Sequence, residues 1–225
     1  MKIKYAFISK PGRRSKNEDY VKVMDKSEEF RWVGIVCDGM GGHAMGDVAS
    51  ETVCNEICNY WEQHNGMDAV SLARKACHSA SVRLDERSYD MHHVEMATTL
   101  VMADITEDTI TITHCGDSRC YLMREGEVVY ETKDHLQTSF GWEYVANCFY
   151  SFKPEVAQPE IAQFKLKAGD RILICSDGLY KSIPPQILKA RMMDDKSHEE
   201  ILDVFDFLCD KNGDDNYSAI IAFVE

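Results

Sequence analysis

The hydrophobic residues of this chain follow two periods. Short apolar runs of about four to eight residues, rich in Val, Ile and aromatic residues, predict strands. Apolar residues spaced about three or four apart predict helices. The predicted strands cover residues 4–9, 20–24, 31–37, 98–104, 109–114, 119–124, 127–131, 164–166, 170–175 and 219–224, and the predicted helices cover residues 46–63, 68–89, 184–193 and 197–211.

The order of these elements predicts the fold class. Strands, a helix pair, many strands and a second helix pair do not alternate as they do in a parallel doubly wound sheet. Turn-prone pieces such as Glu125-Gly126 join the strands of residues 98–131 into a predicted antiparallel meander. We therefore predict an α+β fold, a four-layer α-β-β-α sandwich in which two stacked antiparallel sheets are flanked by helix pairs. The sequence has no internal repeat or linker, so residues 1–225 are expected to form a single domain.

The last predicted helix has signals at both ends. Ser197 and Glu200 have the spacing of a capping box, in which each side chain accepts a hydrogen bond from the other residue's backbone. Gly213 follows the last apolar position, where glycine commonly ends a helix.

Composition and charge exclude several classes of protein. The 225 residues, 44% of them hydrophobic, can bury a substantial core. A formal net charge of -13 argues against a basic surface for nucleic acid or anionic lipid. Nine cysteines without a C-x-x-C pair are typical of buried thiols in a reducing compartment. No apolar window approaches the roughly 18 residues of a membrane span, and the N-terminus lacks the apolar stretch of a signal peptide. We therefore expect a cytoplasmic monomer that does not bind membranes.

Three apolar runs end at an aspartate beside a glycine, in Asp38-Gly39, Gly116-Asp117 and Asp177-Gly178. Asp215 precedes the last predicted strand, and Glu18-Asp19 closes the N-terminal segment. A sandwich can bring such carboxylates together at one end of its strands. Clustered carboxylates are stable only with protons, basic side chains or hard cations that accept oxygen ligands. The set therefore predicts a divalent-metal site.

Other interpretations of these residues are weaker. A single aspartate at a strand end is also common in turns, so the joint pattern carries the argument. Residues 39–44 match the dinucleotide-binding pattern G-x-G-x-x-A between a strand and a helix. We reject this interpretation because Asp38 would direct a carboxylate at the pyrophosphate, and the acidic residues about twenty positions later lie in a predicted helix. The lack of a His/Cys ligand cluster argues against structural zinc.

Seven short motifs lie along the chain, from about residue 5 to the C-terminus: Arg14-x-x-Asn17-Glu18-Asp19, Asp38-Gly39-Met40-Gly41-Gly42-His43-x-x-Gly46, Ala97-Thr98-Thr99, Gly116-Asp117-Ser118-Arg119, Thr132-x-Asp134-His135, Ser176-Asp177-Gly178-Leu179 and Asp215-Asn216. Their order resembles that of the metal-dependent protein phosphatases, the type 2C or PPM family. Any one motif is weak, but seven in order are hard to obtain by chance. The chain looks like a bacterial-type member with a shortened flap region.

The resemblance implies a central β-sandwich that binds two Mn²⁺ or Mg²⁺ ions, and in bacterial members often a third. It implies that Asp38 bridges the two ions. The Gly39 carbonyl and Asp19 are then expected to serve one ion, and Asp177 with Asp215 the other. These assignments agree with the divalent-metal site predicted from the residues alone.

Three further roles follow from the resemblance. Asp117, together with Asp177, is expected to hold the third ion, and Glu18 to act through a coordinated water. Hydrolysis of a phosphomonoester at neutral pH needs an ionised water, and divalent ions lower the pKa of coordinated water from about 15.7 in bulk. Arg14 is expected to bind the phosphate and to assist catalysis, because a guanidinium offers a planar fork to two phosphate oxygens and offsets charge in the transition state.

The sequence also departs from the family pattern. Met40 stands two positions after Asp38, where many eukaryotic relatives have histidine, so the proton donor to the leaving group is left open. His43 is a candidate for that donor, although a hydrogen-bonding role in a glycine-rich turn explains it as well. Arg119 is expected to be structural. The chain between Asp134-His135 and Ser176-Asp177 is shorter than usual for a bacterial member. The aromatic residues between positions 140 and 152 are expected to pack into a compact remnant of the flap, with a partner surface as the alternative.

These observations lead to three hypotheses from different classes. The first is a protein serine/threonine phosphatase, which hydrolyses phosphoserine and phosphothreonine in phosphorylated proteins, the products of a serine/threonine kinase, by a metal-activated water. The second is a catalytically weak pseudophosphatase that binds phosphoproteins as a regulator. The third is a hydrolase of phosphodiesters or small phosphate esters. The presence of every expected metal carboxylate favours an enzyme.

Overall fold

The elements of the computed structural model follow the predicted order along the chain. The structure describes residues 1–40, 45–64, 66–153, 155 and 157–225. The helices are α1 (Gly46–Gln63), α2 (Ala69–Asp90), α3 (Asp177–Ser182), α4 (Pro185–Met192) and α5 (His198–Asn212). The strands are β1 (Ile3–Lys10), β2 (Asp19–Lys26), β3 (Arg31–Asp38), β4 (Ala97–Thr98), β5 (Leu100–Thr106), β6 (Thr109–Cys115), β7 (Arg119–Arg124), β8 (Glu127–Glu131), β9 (Leu136–Ser139), β10 (Trp142–Val145), β11 (Phe149–Tyr150), β12 (Glu160–Lys165), β13 (Arg171–Cys175) and β14 (Tyr217–Val224).

Ten of the strands form two five-stranded antiparallel sheets. Sheet 1 has the order β12-β6-β5-β3-β2, and sheet 2 has the order β1-β14-β13-β7-β8. Side chains alternate between the faces of each sheet, because successive residues of a strand point in opposite directions. In β3, Val33 and Ile35 pack against the helices α1 and α2, whereas Val36 faces sheet 2.

Three apolar layers hold the sandwich together. The central layer lies between the sheets and includes Val36 from sheet 1 and Ile174 from sheet 2. The first outer layer joins sheet 1 to α1 and α2. The second joins the other face of sheet 2 to α3, α4 and α5, where Phe205 is fully buried. The predicted four-layer α-β-β-α sandwich is confirmed, with α3 as an additional short helix that the hydrophobic pattern did not predict.

The predicted meander over residues 98–131 is wrong in its connectivity. β5 pairs with β6 in sheet 1, whereas β7 pairs with β8 in sheet 2. The chain crosses between the sheets at Gly116, whose φ of +111° is a conformation that other residues rarely adopt. A β carbon at this position would also lie 2.6 Å from Thr99 side-chain atoms. Hydrophobic periodicity predicts each strand but carries no information on which sheet the strand joins.

Both end signals of α5 are present. The Ser197 Oγ accepts a hydrogen bond from the Glu200 N–H, and the Glu200 carboxylate accepts one from the Ser197 N–H, so the predicted capping box is confirmed. The helix ends at Gly213, but with a φ of −83° rather than the left-handed conformation. Close packing explains this glycine instead, since a β carbon there would lie 2.5 Å from the Ser182 Oγ.

The segment after Asp134 contains a short hairpin of β9 and β10, followed by β11, which pairs with β4. Phe149 is buried as expected. The expectation of packing is wrong for the hairpin, where Phe140 is 99% exposed and Trp142 79% exposed. A hairpin of four-residue strands joined by a two-residue turn has no second layer to cover these side chains. None of the described helices is long and apolar enough to cross a membrane.

Candidate metal centre

A pocket of about 670 Å³ opens at the end of the sandwich where β3, β6 and β13 terminate. It collects acidic residues from widely separated segments, together with Arg14 at its rim. The predicted site residues that line it are Arg14, Glu18, Asp38, Gly39, Asp117, Asp177 and Asp215. Asp19, the remaining predicted ligand, is buried next to Asp38, because the two residues face each other in the register of β2 and β3.

The two oxygens of the buried Asp19 carboxylate have different surroundings. Its Oδ2 accepts a hydrogen bond of 2.7 Å from the Ser176 Oγ. Ser176 in turn accepts one from the backbone N–H of Ser218, which fixes the hydroxyl. Among the described residues, the Asp19 Oδ1 is buried without a hydrogen-bond partner. An unpartnered buried carboxylate oxygen is costly unless a cation binds it, so the position fits a metal ligand.

The Asp38 backbone is held by the two threonines of the Ala97-Thr98-Thr99 motif. The Asp38 N–H donates to the Thr99 Oγ1 at 3.1 Å, and the Thr98 hydroxyl donates to the Asp38 carbonyl at 2.8 Å. The Gly39 N–H donates to the Glu18 carbonyl at 3.1 Å, which brings Glu18 beside the end of β3. These bonds fix the backbone from which the Asp38 side chain and the Gly39 carbonyl reach the pocket.

Asp177 and Asp215 come together because the residues that follow them, Gly178 and Asn216, are in close backbone contact. Asp177 begins α3, and the next residue, Gly178, packs so closely on Asn216 that a β carbon would lie 1.9 Å from the Asn216 carbonyl oxygen. No other residue type fits at this contact. Gly178 is therefore required by this close packing, in addition to being favoured in a turn.

Asn216 acts as a clamp on the N-terminal segment. Its Oδ1 accepts a hydrogen bond from the Glu18 N–H at 2.9 Å, and its Nδ2 donates to the carbonyls of Pro11 and Lys16 at 2.9 and 2.8 Å. The sequence placed Asn216 in a motif but gave it no role. A side-chain amide that bridges segments about two hundred residues apart leaves no local signal in the sequence.

Arg14 lies over the pocket rim and is held from one side. Its Nη2 donates to the Asp215 Oδ2 at 3.1 Å, and its Nε donates to the Asp214 carbonyl at 3.0 Å. The side chain remains more than half exposed, at 57%. The neighbouring Arg13 instead donates to the Lys211 carbonyl, away from the pocket lining.

Asp117 lies on the other side of the pocket, at the crossover between the sheets. It is buried, and a basic side chain that the sequence analysis did not single out lies near it. The Lys181 Nζ is 3.7 Å from the Asp117 Oδ2 and 2.5 Å from the Asp177 Oδ2. Lys181 follows Asp177 by four residues in α3, and this helical spacing is the signal that could have identified it.

Burial and mutual repulsion raise the pKa values of the clustered carboxyl groups. Burial is the largest cause at Asp19, whose pKa rises to about 7 despite the hydrogen bond from Ser176. The pKa of Asp38 is raised well above its ordinary value, first by burial and then by the charges of Asp19 and Asp177. The pKa of Asp117 rises to about 6 through burial and Asp177, against the opposing effect of Lys181. Such a cluster of hard oxygen donors favours a divalent cation such as Mn²⁺ or Mg²⁺.

Other predicted residues have clear positions. Arg119 is structural, as expected, because it donates to both oxygens of Asp134 at 2.8 and 2.7 Å and stacks over the Tyr180 ring. Met40 lines the pocket. His43, the candidate proton donor, lies outside the described residues, as do the other residues of the dinucleotide-like pattern from position 41 to 44. The strand before that pattern belongs to an antiparallel sheet, which excludes a doubly wound dinucleotide-binding fold.

A four-layer sandwich with an acidic pocket at one end of its sheets defines a class of proteins with carboxylate-lined divalent-metal sites. Comparison with known proteins identifies the family within that class. The model of the Protein phosphatase 2C family matches residues 10–221. The chain belongs to this family, and the resemblance noted from the motifs is confirmed.

Individual relatives agree with this assignment. The chain is 28% identical over 205 residues to the serine/threonine protein phosphatase PstP of Mycobacterium tuberculosis (strain CDC 1551 / Oshkosh), with 84% of this chain and 40% of PstP covered. It therefore spans less than half the length of that relative. It is 27% identical over 233 residues to the serine/threonine phosphatase stp of Listeria welshimeri, with 92% of this chain and 90% of that protein covered.

A solved structure supports the fold. The crystal structure of the catalytic domain of PstP in complex with two manganese ions superposes with a TM-score of 0.82 at 26% identity and covers 99% of both chains. The α-β-β-α arrangement is therefore shared over the whole length of this chain.

Proposed function

We propose that this chain is a metal-dependent protein serine/threonine phosphatase that hydrolyses phosphoserine and phosphothreonine. One observation carries the proposal: carboxylates from separate segments, two of them raised in pKa by burial, converge on one pocket that has an arginine at its rim. Membership of the Protein phosphatase 2C family and the two manganese ions of the PstP structure support it.

The pocket residues fit two Mn²⁺ or Mg²⁺ ions. Asp38, at the centre of the cluster, is proposed to bridge them. Asp19 and the Gly39 carbonyl would hold one ion, and Asp177 and Asp215 the other. When bound, the ions supply an ionised water at neutral pH as the nucleophile. Asp19 is paired with Asp38 in the strand register, and its Oδ1 is buried without a hydrogen-bond partner among the described residues, which supports its place in this set.

Glu18 and Arg14 complete the proposed site. The Glu18 backbone is fixed by Asn216 and Gly39, so that its carboxylate can orient a coordinated water. Arg14 binds the phosphate with its guanidinium fork and offsets the charge that develops on the phosphoryl oxygens. Its partner Asp215 is half-exposed. A phosphate can therefore replace Asp215 as the partner of the guanidinium without leaving a buried carboxylate unpaired.

The proposed setting is the cytoplasm, with phosphorylated proteins of a serine/threonine kinase as substrates and a monomer as the working form. The nine cysteines are all free and buried, which supports a reducing compartment. The formal charge of -13 supports protein rather than nucleic-acid partners.

The proposal is tested with a phosphothreonine peptide, Mn²⁺ and a chelator. We expect turnover that needs Mn²⁺, stops with chelator and falls by more than about 100-fold in Asp177→Ala, because that variant removes a ligand of the cluster. Asp108→Ala is the matched control, since Asp108 is exposed and pairs with Lys165 away from the pocket. This control should keep the activity of the unchanged protein.

Two results would overturn the proposal. A folded protein without turnover under any divalent metal would be a pseudophosphatase. Turnover of phosphodiesters or small phosphate esters without turnover of phosphopeptides would assign the pocket to another class of substrate.

A further inference from the structure

Lys181 occupies the space between two carboxylates of the pocket. It lies one helical turn after Asp177 in α3, and its ammonium group is 2.5 Å from the Asp177 Oδ2. The same nitrogen is 3.7 Å from the Asp117 Oδ2. Asp117 is buried, whereas the Lys181 side chain is 58% exposed and reaches the pair from the solvent side.

The other basic residues around the pocket have different partners. Arg14 pairs with Asp215, and Arg119 pairs with Asp134 and Glu131. In the described part of the chain, Lys181 is the basic residue within salt-bridge distance of Asp117. The Tyr180 hydroxyl donates to the Asp117 carbonyl at 3.1 Å, which fixes the backbone of Asp117 against α3. The contact between Lys181 and the two carboxylates is therefore set by the fold.

The contact between Lys181 and the two carboxylates lies where a third metal ion is expected. Asp117 and Asp177 are the two carboxylates that the family resemblance assigns to a third metal ion. An ammonium group between them supplies one positive charge and three hydrogen-bond donors. It therefore offsets part of the negative charge of the two carboxylates without a bound metal ion. A divalent ion can enter between the same two oxygens only if Lys181 leaves.

We propose that the Lys181 ammonium takes the place of the third metal ion, so that this protein binds two divalent ions. This inference rests on the proposed two-ion site, but it concerns the number of ions and not the substrate. Lys181 acts as a positioning residue: it neutralises and orients Asp177, which also belongs to the two-ion set, and holds Asp117 beside it.

The test counts bound ions directly. Equilibrium dialysis with Mn²⁺, followed by anomalous diffraction at the manganese edge from Mn²⁺-soaked crystals, should give two ions per chain for the unchanged protein. Lys181→Ala should bind a third ion between Asp117 and Asp177, with an affinity at that position at least about tenfold higher than in the unchanged protein. Lys181→Arg should again bind two, because a guanidinium can pair with both carboxylates.

Two controls separate local from general effects. Lys165→Ala removes another exposed lysine, paired with Asp108 outside the pocket, and should leave the count at two. Combining Lys181→Ala with Asp117→Ala should abolish the third ion. Because the Lys181 side chain is exposed, Lys181→Ala is still expected to fold, which a cooperative thermal unfolding transition checks.

The outcomes are distinct. Three ions in the unchanged protein, fewer than two ions, or two ions in Lys181→Ala would overturn the inference. Two ions in the unchanged protein and three in Lys181→Ala would support it even if phosphopeptides were not hydrolysed, a result that would count against the proposed function alone.

Discussion

At the scale of single residues, the proposed metal ligands of the pocket differ from Arg14, the proposed phosphate-binding residue, in how they are held. Within the described part of the chain, Arg14 contacts the carboxylate cluster through the half-exposed Asp215. Its removal is therefore expected to affect phosphate binding more than folding. The neighbouring Arg13 is a suitable control, because it is also an arginine but its guanidinium donates to the Lys211 carbonyl instead of lining the pocket.

We predict that Arg14→Ala lowers kcat/KM for a phosphopeptide by about 100-fold, because it removes a charged donor aimed at the transferring phosphoryl group. The free energy of unfolding should change by less than about 0.5 kcal/mol, as for other exposed positions. Steady-state kinetics and urea unfolding measure the two effects. Arg13→Ala should leave both unchanged, and an equal loss of activity in the two variants would contradict the assignment.

At the scale of secondary-structure elements, α5 is the clearest case in which local sequence decides structure. The Ser197–Glu200 capping box satisfies backbone N–H groups at the start of the helix, and the apolar face of α5 packs on sheet 2. Among the described residues that line the metal pocket, none belongs to α5. A substitution that weakens α5 should therefore lower the stability of the protein without changing its metal-dependent activity.

We predict that Ser197→Ala lowers the free energy of unfolding by about 1 kcal/mol, because one backbone N–H loses its partner. For a domain of this size the midpoint of thermal unfolding should fall by about 2–4 °C. Ser197→Asp should retain stability, since an aspartate also caps a helix. Metal-dependent turnover should not change in either variant. An unchanged free energy of unfolding in Ser197→Ala would show that the cap does not contribute to stability.

At the scale of the whole molecule, the acidic pocket stores unfavourable charge that a metal relieves. The pKa of Asp19 is about 7 and that of Asp117 about 6 in the folded chain, whereas 3.8 is the ordinary value for both. A carboxyl group with a higher pKa in the folded protein adds stability that is complete below about 3.8 and is lost as the pH rises through the folded pKa.

We therefore predict that the free energy of unfolding in chelator falls by a few kcal/mol between about pH 4 and about pH 7. Saturating Mn²⁺ should restore stability most strongly at the high end of this range, because metal binding needs ionised carboxylates. Urea unfolding over this pH range, with and without Mn²⁺, measures both effects. Asp19→Asn should show a weaker pH dependence in chelator, whereas a flat profile in the unchanged protein would contradict the electrostatic account.

The hydrophobic pattern alone predicted most of the elements, because the periods of strands and helices are local properties of the backbone. Residues 46–63 form the predicted helix without a change in bounds, and the capping box of Ser197 was visible from four residues of sequence. The short helix α3 escaped prediction, since its six residues are too few to show a helical period.

The acidic motifs, taken together, also predict that carboxylates meet in one pocket. Asp38 and Asp177 stand next to glycines at strand ends, and such pairs are readable in the sequence. Two supporting contacts were not readable, because the Asn216 clamp and the Ser176 hydroxyl on Asp19 join residues far apart in the chain. The spacing of Lys181 from Asp177 is readable, but its approach to Asp117 depends on how α3 packs in the fold.

The sequence by itself therefore determined most of the strands and helices, the acidic residues available for metal and the family to which the chain belongs. The tertiary structure decided which sheet each hairpin joins, which carboxylate oxygens are buried without a partner and which basic side chain reaches them. The physical reason is the range of the interactions. Periodicity, capping and turn chemistry act over a few residues, whereas burial, charge pairing and close backbone contact depend on segments that meet only when the sandwich has formed.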